Sequence, residues 1–119
     1  MKEESKKLRG YLKGYRMCLM QAKSIEKQLA EIHAVESVRE LLLEAKENFE
    51  EHCRNVQIIL GQTKVDGIER SVMNLRYIEG KSIKEAAKAI GYSVGHCANV
   101  EADAVDRLSR DPFIMGLIG

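Results

Sequence analysis

The chain has no tryptophan, two phenylalanines and a single proline, at position 112, so no backbone ring interrupts a helix before that point. Its three cysteines form no CxxC pair, are odd in number and fall within apolar stripes, which argues against a disulfide or zinc framework and for reduced core residues. No apolar run approaches the roughly 18 residues of a membrane span, and the N-terminus lacks a secretory apolar segment, so a cytoplasmic protein without membrane contact is expected. There is no Ser/His/Asp wording and no glycine-rich phosphate loop, and His33, His52 and His96 are too far apart for metal-ligand spacing. No catalytic residue, metal site or cofactor is therefore expected.

What is present is helical. Charged residues make up 31% and apolar residues 45% of 119 positions, a composition suited to an all-α protein with Lys/Glu surfaces and a single core. The net charge of +1 hides a split: the first 27 residues hold eight Lys or Arg against three Glu, and Glu36 to Glu51 holds six Glu against two basic residues.

Leu8, Tyr11, Tyr15, Cys18, Ala22, Ile25, Leu29 and Ile32 recur at intervals of three and four, a heptad seam. Gly10 and Gly14 weaken its start, and fraying is expected before about Leu8. A second seam, Val35, Val38, Leu42, Ala45, Phe49, His52, Val56 and Ile59, is one residue out of phase with the first. Ser37 and Glu40 form a capping-box pair, which places a break near His33 to Glu36 and a restart at about Val38. The segment then folds as an antiparallel, coiled-coil-like hairpin, its basic helix beside its acidic one. One continuous helix with a phase slip is the alternative, since no Gly or Pro lies between Ala30 and Ser37. Either form leaves an apolar seam to be covered by the rest of the chain, by the tail or by a second copy.

After the short linker Gly61 to Lys64, Asp66 and Glu69 form a third cap pair for a helix that carries Ile68, Val72 and Leu75 inward, ends near Ile78 and stops at Gly80. Ser82 with Glu85 is a capping box, Gly91 supplies a left-handed stop, and Ser93 caps the next helix. Ala87 four residues before Gly91 and Cys97 six after it have the spacing of two short helices crossing steeply at one contact, a helix-turn-helix. Asp111-Pro112 ends the second helix, and Phe113, Ile114, Met115 and Leu117 are expected to dock on the hairpin or a partner.

The wording LRYIEGKSIKEAAKAIGYS from Leu75 to Ser93, with its AxxxL ending, resembles the fourth conserved region of bacterial RNA polymerase sigma factors; GYSVGH from Gly91 is closest to small sigma-like regulators of phages and prophages. The resemblance covers residues 68 to 110 and implies transcription regulation, with the second helix in a major groove of double-stranded DNA. On that footing Ser93, Gly95, His96 and Asn99 are the candidate base contacts, and Arg76, Lys81, Lys84 and Lys88 the candidate phosphate contacts. The second helix departs from the pattern. It has no basic residue before Arg107 and carries Glu101, Asp103 and Asp106, which repel phosphate unless they point away.

The expected organisation is a helical hairpin over 1–62, a helix-turn-helix domain over 63–111 and an apolar tail over 112–119. The expected partners are DNA, RNA polymerase or another host protein, and a second copy through the N-terminal helices. The alternative is a protein-binding adaptor or inhibitor on a helix-turn-helix scaffold whose DNA surface has lapsed, working through hairpin and tail.

Overall fold

Periodicity and capping resolve into seven helices in a computed structural model that describes residues 2–31 and 35–119: α1 Glu3–Lys13, α2 Tyr15–Glu31, α3 Glu36–Leu60, α4 Glu69–Tyr77, α5 Ile83–Ile90, α6 Val94–Ser109 and α7 Pro112–Ile118. The protein is all-α over these residues, and none of the helices is long and apolar enough to cross a membrane. The break expected at His33 to Glu36 lies partly outside the described residues.

The first seam is not one helix. At Gly14 the backbone N–H donates to Tyr11 O, closing α1 one turn early, and His52 Nε2 donates to the same carbonyl at 2.8 Å. A Cβ on Gly14 would lie 3.0 Å from His52 Nε2, so glycine is what lets the imidazole reach the joint and stack on Tyr11 with ring centroids 3.8 Å apart. Nor does α1 fray before Leu8. Ser5 and Leu8 are buried, and Ser5 Oγ meets Ser109 Oγ at 3.1 Å, tying the first turns to the end of α6.

Helices α2 and α3 share the most extensive contact in the molecule and run antiparallel, Tyr15 Oη receiving a hydrogen bond from Gln57 and Tyr15 O one from the Cys53 thiol. Their far half stands clear of the rest: no residue from Glu36 to Glu51 is buried. The radius of gyration is accordingly 16.7 Å, against about 13.5 Å for a compact chain of this length.

The main core lies at the other end, where Leu8 and Leu12 of α1, Val56 and Ile59 of α3, Met73 and Tyr77 of α4, Val105 and Leu108 of α6 and Ile114 of α7 meet. A smaller cluster joins Val72, Ala87 and Cys97, the crossing point of α4, α5 and α6. The tail docks as a helix capped by Asp111, whose side chain accepts from Phe113 N; Ile114 is fully buried and Met115 and Leu117 pack on the core. Phe113, expected to dock, is 59% exposed because the helix turns it outward.

Two cap expectations are corrected. Ser37 and Glu40 do not cap α3, which begins at Glu36 with no side-chain cap; Asp66 and Glu69 do not cap α4, because Glu69 is turned inward to Arg107. Cys18, Cys53 and Cys97 are buried free thiols, and burial raises the pKa of the first two.

Candidate nucleic-acid interface

The turn between α5 and α6 is set by three local devices. Ser82 Oγ accepts from Glu85 N while the Glu85 carboxylate accepts from Ser82 N, fixing the start of α5, and these bonds hold the Glu85 carboxyl below its ordinary pKa. Gly91 sits at φ 78°, ψ 28°, so that its own N–H and that of Tyr92 both return to Ala87 O. Ser93 is then extended, its hydroxyl accepting from His96 N to open α6.

The result is an outward leading end for α6. Ser93, Gly95, His96 and Asn99 are all exposed, whereas Cys97 on the same turns is fully buried against Ala87 and Val72. A Cβ at Gly95 would meet nothing within 4 Å, so the protein's own packing does not require glycine there, and the backbone is open to approach from outside. Tyr92, half exposed, tilts over His96 with centroids 5.3 Å apart. Sequence reasoning passed over Tyr92, although its spacing of four from His96 across the cap was the signal.

The acidic side chains of α6 part company. Glu101 is 4% exposed: Oε1 accepts from Arg9 NH1 at 2.9 Å and Oε2 from Arg76 Nε at 2.8 Å. Arg76 NH1 also donates to Lys81 O at 2.8 Å, so this guanidinium spans α6 and the loop before α5. Of the four candidate phosphate contacts, Lys81, Lys84 and Lys88 are exposed, while Arg76 is half-buried and committed to these partners. Beside them the Tyr77 phenol is buried with no hydrogen-bond partner among the described residues, and burial, then the Glu101 charge, push its pKa up.

Asp106 is turned back toward α1 and its own helix end, Oδ1 accepting from Ser5 Oγ at 3.3 Å and Oδ2 meeting Arg110 at 3.4 Å. Asp103 is exposed and lines a shallow groove with Lys64 and Arg107. Arg9 was invisible to sequence reasoning as a member of this site, because 92 residues separate it from Glu101.

A second ion pair sets the other flank of α6. Arg107 grips Glu69 with both terminal nitrogens, at 2.6 and 2.7 Å, and Lys64 N donates to the same carboxylate. The Arg107 hydrogen bonds hold Glu69 below the ordinary carboxyl pKa, against the opposing effect of burial. Arg70 fastens the linker below it through Gly61 O, Thr63 O and Thr63 Oγ1. Helix α6 is thereby held by carboxylate pairs to α1 and α4, with its leading end uninvolved. Compared with models of protein families, with curated proteins and with solved structures, the chain has no match.

Proposed function

We propose that the protein is a sequence-specific DNA-binding transcription regulator of the sigma-region-4 kind, a helical hairpin carrying a helix-turn-helix bundle, in which α6 enters the major groove. One observation carries the reading. The side chains offered outward at the leading end of α6 and its cap, Ser93, His96 and Asn99 around the bare backbone of Gly95, are small or amide and imidazole donors, while the first carboxylate along the helix, Glu101, is drawn inward between two arginines. In this reading Asn99 pairs with an adenine edge and His96 donates to a guanine acceptor or a phosphate. Lys81, Lys84 and Lys88 approach the backbone, with the first N–H groups of α5. Arg76 serves to fix α6 and the preceding loop instead. RNA polymerase or another host protein is a second partner in this proposal.

The rival reading, a protein-binding adaptor, is favoured by one feature: Asp103 remains exposed on α6 and would face phosphate. Selection from random duplexes followed by binding at several salt concentrations separates the two. A regulator enriches a defined site and loses affinity steeply with salt. Failure to enrich any sequence, with no salt-dependent binding, overturns the DNA reading.

A further inference from the structure

Helix α6 has no basic residue before Arg107, although a helix seated between phosphates gains most of its affinity from such residues; its neighbour α1 carries them instead. Lys2, at the start of α1, then Lys6, Arg9 and Lys13 follow one another at steps of four, three and four, so they form one row along the helix. Two observations place that row beside α6. Arg9 donates to Glu101 at 2.9 Å, and Lys2 lines a groove between the two helices with Ser5, Ala102, Asp103 and Asp106. Asp103 is exposed one turn on from Asn99, so this groove opens onto the same face as the candidate base contacts. The acidic residues of α1 lie on its other edge: Glu3 and Glu4 fall in line with Lys7 and Tyr11, which turn toward Gly119 O and Asn55.

From this arrangement we infer that α1 is a second DNA-contacting element, in which Lys2 and Lys6 hold phosphates on the wall of the groove that α6 enters. The inference rests on the DNA reading and adds to it the source of the positive charge that α6 lacks. The two helices run antiparallel, Ser5 lying by Ser109 and Arg9 by Glu101. Packed helices are about 8–10 Å apart, and a major groove is about 12 Å wide. With α6 along its middle, the phosphate wall therefore lies below the helix packed at its side. Lys2 and Lys6 are exposed and have no ion pair among the described residues, so their charge is available to a ligand. The carboxylates of α6 do not consume it. Glu101 is shared by Arg9 and Arg76, and Asp106 meets Arg110, which leaves Asp103 alone against the row. From Arg9 onward the row turns inward, since that guanidinium is spent on Glu101. Affinity and sequence preference are thus divided, with α1 supplying phosphate contacts and the leading end of α6 reading bases.

The test is a salt titration of the full chain on its selected duplex and on a scrambled one. Lys2 makes no side-chain cap bond, so Lys2→Ala combined with Lys6→Ala removes charge without removing a cap, and circular dichroism checks that helicity is kept. This pair is expected to lower the slope of log affinity against log salt by about two and to weaken binding to both duplexes by roughly tenfold or more at about 0.1 M salt. Lys2→Arg with Lys6→Arg is expected to retain the slope. Lys23→Ala with Lys27→Ala removes the same charge from exposed positions of α2 and is expected to leave the slope unchanged. An unchanged slope for the alanine pair on α1 overturns the inference, while the DNA reading stands as long as the unaltered chain enriches a site. An equal fall for the pair on α2 also overturns it, because net charge and not α1 would then set the slope. An unaltered chain that enriches no site and binds no duplex overturns both readings together.

Discussion

Arg76 Nε donates to Glu101 Oε2 at 2.8 Å across twenty-five residues of chain, and through that bond the guanidinium joins α4 to the middle of α6. With Arg9 on the other carboxylate oxygen, one buried anion answers to two arginines from two helices. A charge of this kind is costly to bury alone and is tolerated here because both of its oxygens are paired.

Glu101→Gln keeps the shape and removes the charge. Arg9 and Arg76 would then face a neutral amide in a largely dry site, and the loss is expected to be about 3 kcal/mol. For a chain of this size that corresponds to a fall in Tm of roughly 10 °C. Thermal unfolding followed by circular dichroism measures it, and a shift within 2 °C would mean that the pair does not hold α6.

Acid should loosen the other flank. Glu69 has its carboxyl pKa depressed in the folded state, chiefly by the Arg107 hydrogen bonds, so its contribution is fully present above the unfolded value of about 4.3. It is lost as pH falls through the lower folded value, since the unfolded chain takes up the proton first. Urea unfolding between pH 7 and pH 3 is expected to show stability declining below about pH 4.3, and Glu69→Gln, already weakened at neutral pH, to decline less over the same window. Equal declines in the two proteins would assign the acid effect elsewhere.

These two pairs also show where sequence reasoning stops. Ser82 with Glu85 and Gly91 with Ser93 were legible because each device is complete within a few residues, and the backbone φ, ψ and cap bonds follow from those residues alone. Asp66 with Glu69 has the same local spacing, yet Glu69 is claimed by Arg107, 38 residues away, and the cap is never made. Ser37 with Glu40 fails differently: α3 starts one residue ahead of the serine, which leaves it inside the first turn. The heptad seams named the residues buried along α2, Tyr15, Cys18, Ala22 and Ile25, and at the end of α3, Val56 and Ile59, but Val35 and Val38 are exposed, and a period of three and four continues smoothly through Gly14 and could not reveal that His52 enters there. Of the interface, the exposed leading end of α6 was readable from its periodicity; the arginine from α1 that neutralises Glu101 was not.

Gly91→Ala tests the turn itself. No atom lies within 4 Å of a Cβ at that position, so the penalty is the left-handed backbone alone, about 1 kcal/mol and a Tm lower by a few degrees. Gly80→Ala should cost more. There φ is 71° and the Cβ would come within 2.5 Å of Arg16 Cδ, displacing a side chain whose guanidinium donates to Ile78 O. The order of the two Tm values is the measurement, and a milder effect at Gly80 would show that Arg16 moves aside freely.

The DNA reading makes its own demand on two exposed residues that stability should ignore. Asn99→Ala is expected to cost roughly 1–3 kcal/mol on the selected site and to relax preference at a single base position, because a bidentate amide contact specifies one adenine. Lys84→Ala is expected to weaken binding to every duplex alike and to lower the slope of log affinity against log salt by about one, because a phosphate contact releases one counterion and carries no sequence information. Both side chains project into solvent, so neither variant should shift Tm beyond about 1 °C, within the usual range for surface substitutions. Fluorescence anisotropy on the selected duplex and on a scrambled one, each at three salt concentrations, reads both effects. Indifference of the two variants would move the working surface away from α5 and α6 and leave the adaptor reading in its place.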